Sequence, residues 1–275
     1  MKAIKKILLG ITVVCTLMAV NIKPVSAADY IIFEWDSVVR LCSKLDDGEE
    51  IEFDFFGGLN IAHELRTAEI NADNVKVVFK SYRDKTIELN SDNFYDFPML
   101  EINGDNVTVE FDNVNVNYFR SGGDGGAIYV DGENCHIKNG NFYGCSAETD
   151  GGAICLNRDN AIVENCSFSY CKAGDDGGAI YVCAGADDCI IKNCRFSSCE
   201  CEERGNAVCG DNDTRVINCT SDAKNSFKLC KVENSTGSIM SQGNIIIIAS
   251  ILVVAAVIVV ILVVRKKKNN KTNSK

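Results

Sequence analysis

The sequence predicts an all-β chain: a right-handed parallel β-helix of about six or seven coils of ~26 residues, with a short N-terminal capping helix and one C-terminal transmembrane helix. Three observations carry this. Gly125-Gly126-Ala127-Ile128-Tyr129 returns as Gly151-Gly152-Ala153-Ile154-Cys155 and as Gly177-Gly178-Ala179-Ile180-Tyr181, then fades at Gly205-Asn206-Ala207-Val208-Cys209. An asparagine recurs in step at Asn113, Asn139, Asn165, Asn193 and Asn218, and an aromatic at Phe142, Phe168 and Phe196. Between these markers the apolar residues alternate with period two, which is the pattern of short strands.

The chain begins with Lys2, Lys5 and Lys6, an apolar run over residues 7–20, and Val25-Ser26-Ala27. A basic start, a short apolar stretch and small residues at a cleavage position define a secretory signal peptide, residues 1–27, cut after Ala27. Cys15 lies within the apolar run behind Val13-Val14, which disfavours a lipoprotein anchor. Residues 245–264 are apolar apart from Ser250. Such a run spans about 30 Å as a helix, the thickness of a bilayer core. A membrane-spanning helix is therefore expected over 244–264, followed by a basic tail over 265–275 that starts Arg265-Lys266-Lys267-Lys268. The positive-inside bias puts that tail in the cytoplasm and the N-terminal ectodomain outside.

Residues 28–50 read as a cap. Trp35-Asp36-Ser37 precedes Val38, Val39, Leu41, Cys42 and Leu45, whose spacing marks one helical face. Asp36 or Ser37 is the expected N-cap, and Asp46-Asp47-Gly48 the stop. From Ile51 the period falls to two, as in Ile51-Glu52-Phe53-Asp54-Phe55 and Val107-Thr108-Val109-Glu110-Phe111. Proline occurs only at Pro24 and Pro98, so strand pairing is rarely interrupted. The β-helix is placed at 51–220.

One coil is written over residues 151–176, with strands at 153–156, 161–164 and 166–169, a sharp bend at Asn165 and a loop back over 170–176. Three strands and three bends make a triangular coil, each stacked ~4.8 Å above the last. Ile128, Ile154, Ile180 and Val208 should then form one inward column. Phe142, Phe168 and Phe196 form a second, and Ile137, Val163, Ile191 and Val216 a third. The polar stretch 221–243 reads as a stalk.

The GGAI/GGAIY unit followed by N-C-x-F-x-x-C resembles the repeat of right-handed parallel β-helix surface proteins. These include polymorphic outer-membrane proteins and adhesin-like proteins of methanogens and gut bacteria. The helix-capped start around Trp35 to Phe55 resembles that of pectate-lyase-like β-helices. The resemblance covers roughly 51–220 and implies the fold; many activities share that fold. The chain departs from the outer-membrane group in having a predicted transmembrane helix where those proteins carry a β-barrel, and it has no LPxTG-type motif before that helix.

All 38 acidic residues lie between the two hydrophobic segments. Of 28 basic residues, four precede residue 28 and six follow residue 264, leaving 18 against 38, a net charge of −20. Such a surface repels nucleic acid and anionic polymers and suits solubility and cation binding.

Each candidate site is a column. Asp124, Asp150 and Asp176 precede the double glycines, with Arg204 at that place in the next coil. Turn chemistry closed by Arg204 is one reading. Calcium binding is a second, and the paired carboxylates of a glycosidase a third. The Asn ladder (Asn113, Asn139, Asn165, Asn193, Asn218) reads as scaffold, because asparagine tolerates the left-handed backbone of a bend. Among the N-x-S/T triplets at Asn106, Asn165, Asn212 and Asn234, the Asn165 one is turned into that bend.

The cysteines fall in step as Cys135 and Cys189, as Cys166, Cys194 and Cys219, as Cys145, Cys171 and Cys199, and as Cys155 and Cys209. Stacked free thiols, vertical disulfides between coils, or a metal site are open, and the C-x4-C spacing disfavours metal. No G-x-S-x-G or P-loop occurs, and neither His63 nor His136 is placed by a motif.

The expected function is a membrane-tethered, adhesin-like surface protein that binds a host, a cell or a glycan. Tyr129 and Tyr181 are exposed contact candidates if the Ile column faces inward. A polysaccharide lyase or glycosidase is the alternative, with Arg204 near Asp176 as the pair that can be named. A purely structural envelope protein is a third possibility.

Overall fold

Very short strands separated by left-handed corners wind the chain into a parallel β-solenoid of about seven turns. The chain is described by a computed structural model over residues 28–239, apart from residues 33, 62–65, 83–84, 92–93, 96, 223–224 and 237. It divides into two units, Met1–Ser238 and Ile239–Lys275, and the solenoid belongs to the first. The predicted signal peptide (1–27), membrane-spanning helix (244–264) and basic tail (265–275) lie outside the described residues. Among the described residues no helix is long and apolar enough to cross a membrane.

The coil that starts at Gly151 shows how the sequence makes a turn. Ile154–Leu156 joins an eight-stranded sheet, Ile162–Glu164 a nine-stranded sheet, Ser167–Ser169 a seven-stranded sheet and Lys172–Ala173 a four-stranded sheet. The expected triangle is thus corrected to four strands per coil. The fourth, predicted as loop, is two residues long and too short to show a period. Each of the four corners has one residue in left-handed backbone: Gly151 (φ 65°), Asn160 (60°), Asn165 (55°) and Tyr170 (56°). Glycine and asparagine adopt this region with little strain, which is why they punctuate the repeat.

The double glycine has two separate causes. Gly151 supplies the positive φ. Gly152 supplies space: a Cβ there would meet Gly178 O at 2.2 Å, in the next coil.

Successive coils pair in register. Ile128, Ile154, Ile180 and Val208 are consecutive partners in the eight-stranded sheet, and Ile137, Val163, Ile191 and Val216 in the nine-stranded one. All eight are buried, as predicted. Phe142, Phe168 and Phe196 stack at 5.1 and 5.2 Å with nearly parallel rings. The column continues at both ends, edge-on, to Phe111 and Phe227. Burying each ring is worth about 1.5–3 kcal/mol, and each ring pair about 0.5–1.5 kcal/mol more.

The N-terminal cap is a strand as well as a helix. Ala28–Ile32 pairs parallel with Ile51 to Phe55, ahead of the helix Trp35–Cys42. Neither Asp36 nor Ser37 caps that helix. Glu34 holds the cap position in extended backbone, Asp36 lies in the first turn, where a negative charge suits the helix dipole, and Ser37 is buried. Trp35 stacks on Phe79 at 6.3 Å and donates its indole N–H to Arg66 O at 2.9 Å, fixing the cap on the first coils.

The predicted stalk is also corrected at its start. Ser226–Lys228 and Lys231–Glu233 pair with Val208–Cys209 and Arg215–Ile217, so the solenoid runs past residue 220. The stretch is polar in composition, but its alternation turns Phe227 and Cys230 inward.

Candidate binding surface

On the outer side of the eight-stranded sheet Glu101, Tyr129, Cys155, Tyr181 and Cys209 follow one another in register. Tyr129 and Tyr181 do face outward, but they are half-buried rather than exposed. Desolvation pushes both phenols above their ordinary range, with nearby acidic groups adding to it. Cys155, between them, is fully buried.

The Asp column flanks this face. Asp124 Oδ1 accepts the backbone N–H of Asp150 at 3.2 Å, and Asp150 Oδ1 that of Asp176 at 2.9 Å. Thr149 also donates its hydroxyl to Asp124. Asp176, 4% exposed, accepts Arg204 through both oxygens, with Nε at 3.1 Å from Oδ1. Each carboxylate therefore receives a donor from the next coil, and a guanidinium ends the series. Desolvation first, then the neighbouring carboxylates, raises the Asp150 pKa from 3.8. Among the described residues no group of three or more His, Cys, Asp or Glu side chains converges as metal ligands do.

The ladder asparagines all lie in left-handed backbone. Asn113, Asn139, Asn165, Asn193 and Asn218 are exposed at φ between 52° and 62°. Asn218 donates to Asn193 Oδ1 at 3.4 Å, whereas Asn139 donates sideways to Glu110 at 3.2 Å. A second ladder at the preceding corner, Asn106, Asn134, Asn160 and Asp188, has the same left-handed backbone.

All fourteen cysteines among the described residues are free. Those of the columns are buried, and seven of the ten turn sulfur toward a backbone carbonyl of the preceding coil. Cys135 reaches Gly104 O at 3.4 Å, Cys145 reaches Val116 O at 3.5 Å, Cys171 reaches Phe142 O at 3.8 Å and Cys199 reaches Phe168 O at 3.7 Å. Cys189 reaches Arg158 O at 3.4 Å, Cys194 reaches Val163 O at 3.6 Å and Cys219 reaches Ile191 O at 3.6 Å, while Cys166 stays with Glu164 O at 3.3 Å. Burial pushes the thiols of Cys135 and Cys189 up to about 11. Protonated, enclosed thiols of this kind are wall material.

The fourth corner holds what the repeat reading missed. Tyr118, Tyr143 and Tyr170 form a ladder on the outside of the solenoid, 40%, 38% and 58% exposed. Their ring centroids step by 5.4 Å and 5.3 Å, and the first pair meets edge-on. Tyr118 and Tyr170 occupy left-handed backbone, at a corner filled by Gly144 and Ser198 in other coils. The neighbouring outward column of the seven-stranded sheet is Asn117, Tyr143, Ser169, Ser197, and beside it Asn141 donates to Asn115 at 2.8 Å. The signal was in the sequence. Tyr118, Gly144, Tyr170 and Ser198 each stand five residues after a ladder asparagine.

No protein family matches the chain, and no curated protein sequence matches it either.

Proposed function

We propose that this chain is a membrane-tethered, adhesin-like surface protein whose solenoid, wound right-handed, presents the tyrosine ladder to an uncharged glycan. The observation that carries the reading is the ladder itself. A non-glycine residue in left-handed backbone costs about 1–2 kcal/mol, and Tyr118 and Tyr170 both bear that strain at the surface. Strain retained at a surface position, where glycine serves in the coil between, is a mark of function. Rings repeating along the axis offer apolar faces to successive sugar rings, and the adjoining Asn and Ser side chains supply hydroxyl partners.

Charge favours a neutral ligand. Tyr143 has Asn117 and Ser169 as its strand partners, uncharged side chains on an ectodomain of net charge −20. The tether rests on the apolar run 245–264 and its basic flank. A lyase finds less support, because the pair it would need, Asp176 and Arg204, is closed on itself and largely buried on the Asp176 side.

Full-length protein in detergent, tested on an array of neutral and acidic glycans, should retain neutral glycans and lose them on Tyr143→Ala. Absence of any glycan binding, or binding indifferent to that change, would overturn the reading.

A further inference from the structure

Two departures from the repeat meet at one point. In the outward column of the eight-stranded sheet, Cys155 stands between Tyr129 and Tyr181. Two residues on from Tyr181, Cys183 stands 26 residues after Asn157, which itself stands 26 after Asp131. Asn157 and Asp131 are hydrogen-bonded at 2.7 Å, so this position otherwise holds a polar ladder. One cysteine replaces a tyrosine and the other an amide, and their sulfurs come to 3.5 Å from each other. Other thiols also meet along their columns, Cys171 with Cys145 and Cys199 and Cys194 with Cys166 and Cys219, but every one of those is buried. Cys155 is buried, and Cys183 is partly open to solvent.

We propose that Cys155 and Cys183 form a dithiol–disulfide site that exchanges with low-molecular-weight disulfides. The Cys183 thiolate attacks one sulfur of the external disulfide and releases one thiolate, leaving a mixed disulfide on Cys183. Cys155 then gives up its proton and attacks the Cys183 sulfur, forming the internal S–S bond and releasing the second thiolate. Two protein thiols are oxidised, one external disulfide is reduced to two thiols, and the two protons lost by the protein are taken up by those products. Geometry assigns the order, since only Cys183 of the pair is open to solvent. The mutual hydrogen bond lowers the Cys183 pKa and raises that of Cys155, which suits attacking and resolving roles. Bond formation requires the sulfurs to close by about 1.5 Å, within reach of side-chain rotation. The product ties two successive coils across 28 residues of chain.

The test uses the full-length chain in detergent, fully reduced, then exposed to graded oxidised glutathione, quenched by alkylation and mapped without reductant. A protease cutting before aspartate separates Cys145 from Cys155 at Asp150, and Cys183 from Cys189 at Asp187. The expected result is a Cys155–Cys183 cross-linked peptide at oxidant levels where Cys145, Cys171 and Cys199 remain alkylated. With Cys155→Tyr, which copies the neighbouring coils, Cys183 should instead accumulate the glutathione adduct. With Cys183→Asn, which copies Asn157, Cys155 should stay reduced. Cross-links among the column thiols before this pair, or Cys155 and Cys183 both alkylated throughout, would overturn the proposal.

Discussion

The ring of Tyr118 lies over Gly144, so close that a Cβ at residue 144 would come within 2.7 Å of Tyr118 Cδ1. Gly144 also has a φ of 63°, so it serves both its own corner and the seat of its neighbour. Gly144→Ala should therefore displace the Tyr118 ring and add about 1–2 kcal/mol of backbone strain. A fall of a few degrees in melting temperature, with glycan binding weakened more than stability, is the expected pair of measurements.

Tyr170 tests the opposite combination. Asparagine tolerates the left-handed region better than tyrosine does, and the Tyr170 ring is mostly exposed. Tyr170→Asn should leave the melting temperature unchanged or slightly raised while removing one step of the ladder. A binding titration beside a thermal melt separates the two effects, and a large loss of stability would count against the strain argument.

The Asp column makes a prediction about charge. Because Asp150 has a raised pKa in the fold, its ionisation is a penalty, fully present above that folded value and relieved as pH falls toward 3.8. Asp150→Asn removes the penalty and keeps an oxygen to accept the Asp176 N–H. Its melting temperature at neutral pH should match or exceed that of the parent. Added calcium should leave the melting temperature unmoved, since Asp124 and Asp150 already accept amides and Asp176 accepts Arg204. A calcium-dependent rise lost in Asp150→Asn would instead make the column a cation site.

His136 should give the solenoid an acid-side loss of stability. Desolvation lowers its pKa below 6.5, even with Glu164 3.0 Å from Nε2. The unfolded chain therefore takes up this proton at a higher pH than the folded one. Its contribution is intact above 6.5 and is lost as pH falls from there to the lower folded value. Ile162 and Ile190 fill the same place on the next two coils, so His136→Ile should fold and flatten that part of the stability–pH curve.

The winding of the chain was readable because its causes are local and repeated. A glycine that must be left-handed, followed by one that must be small, recurs often enough to set the register of every inward column. What escaped notice lacked such a period. Lys172–Ala173 is too short to alternate, and the stretch after Thr220 hides Phe227 and Cys230 among polar residues. The tyrosine ladder was missed because its corner is filled by different residues in different coils. The Cys155–Cys183 contact is diagonal, so columns drawn straight along the axis pass it by.

The Asp176–Arg204 pair also has a genetic consequence. Every carboxylate before it passes the same acceptor to the coil that follows, so copying residues 151–176 in frame would add a turn without new chemistry at the joint. A copy inserted after Arg204 would have to accommodate a guanidinium already committed to Asp176. Lineages of this solenoid should therefore grow and shrink by whole turns on the N-terminal side of Arg204, with that arginine travelling at the boundary as the mark of where the tandem array stops.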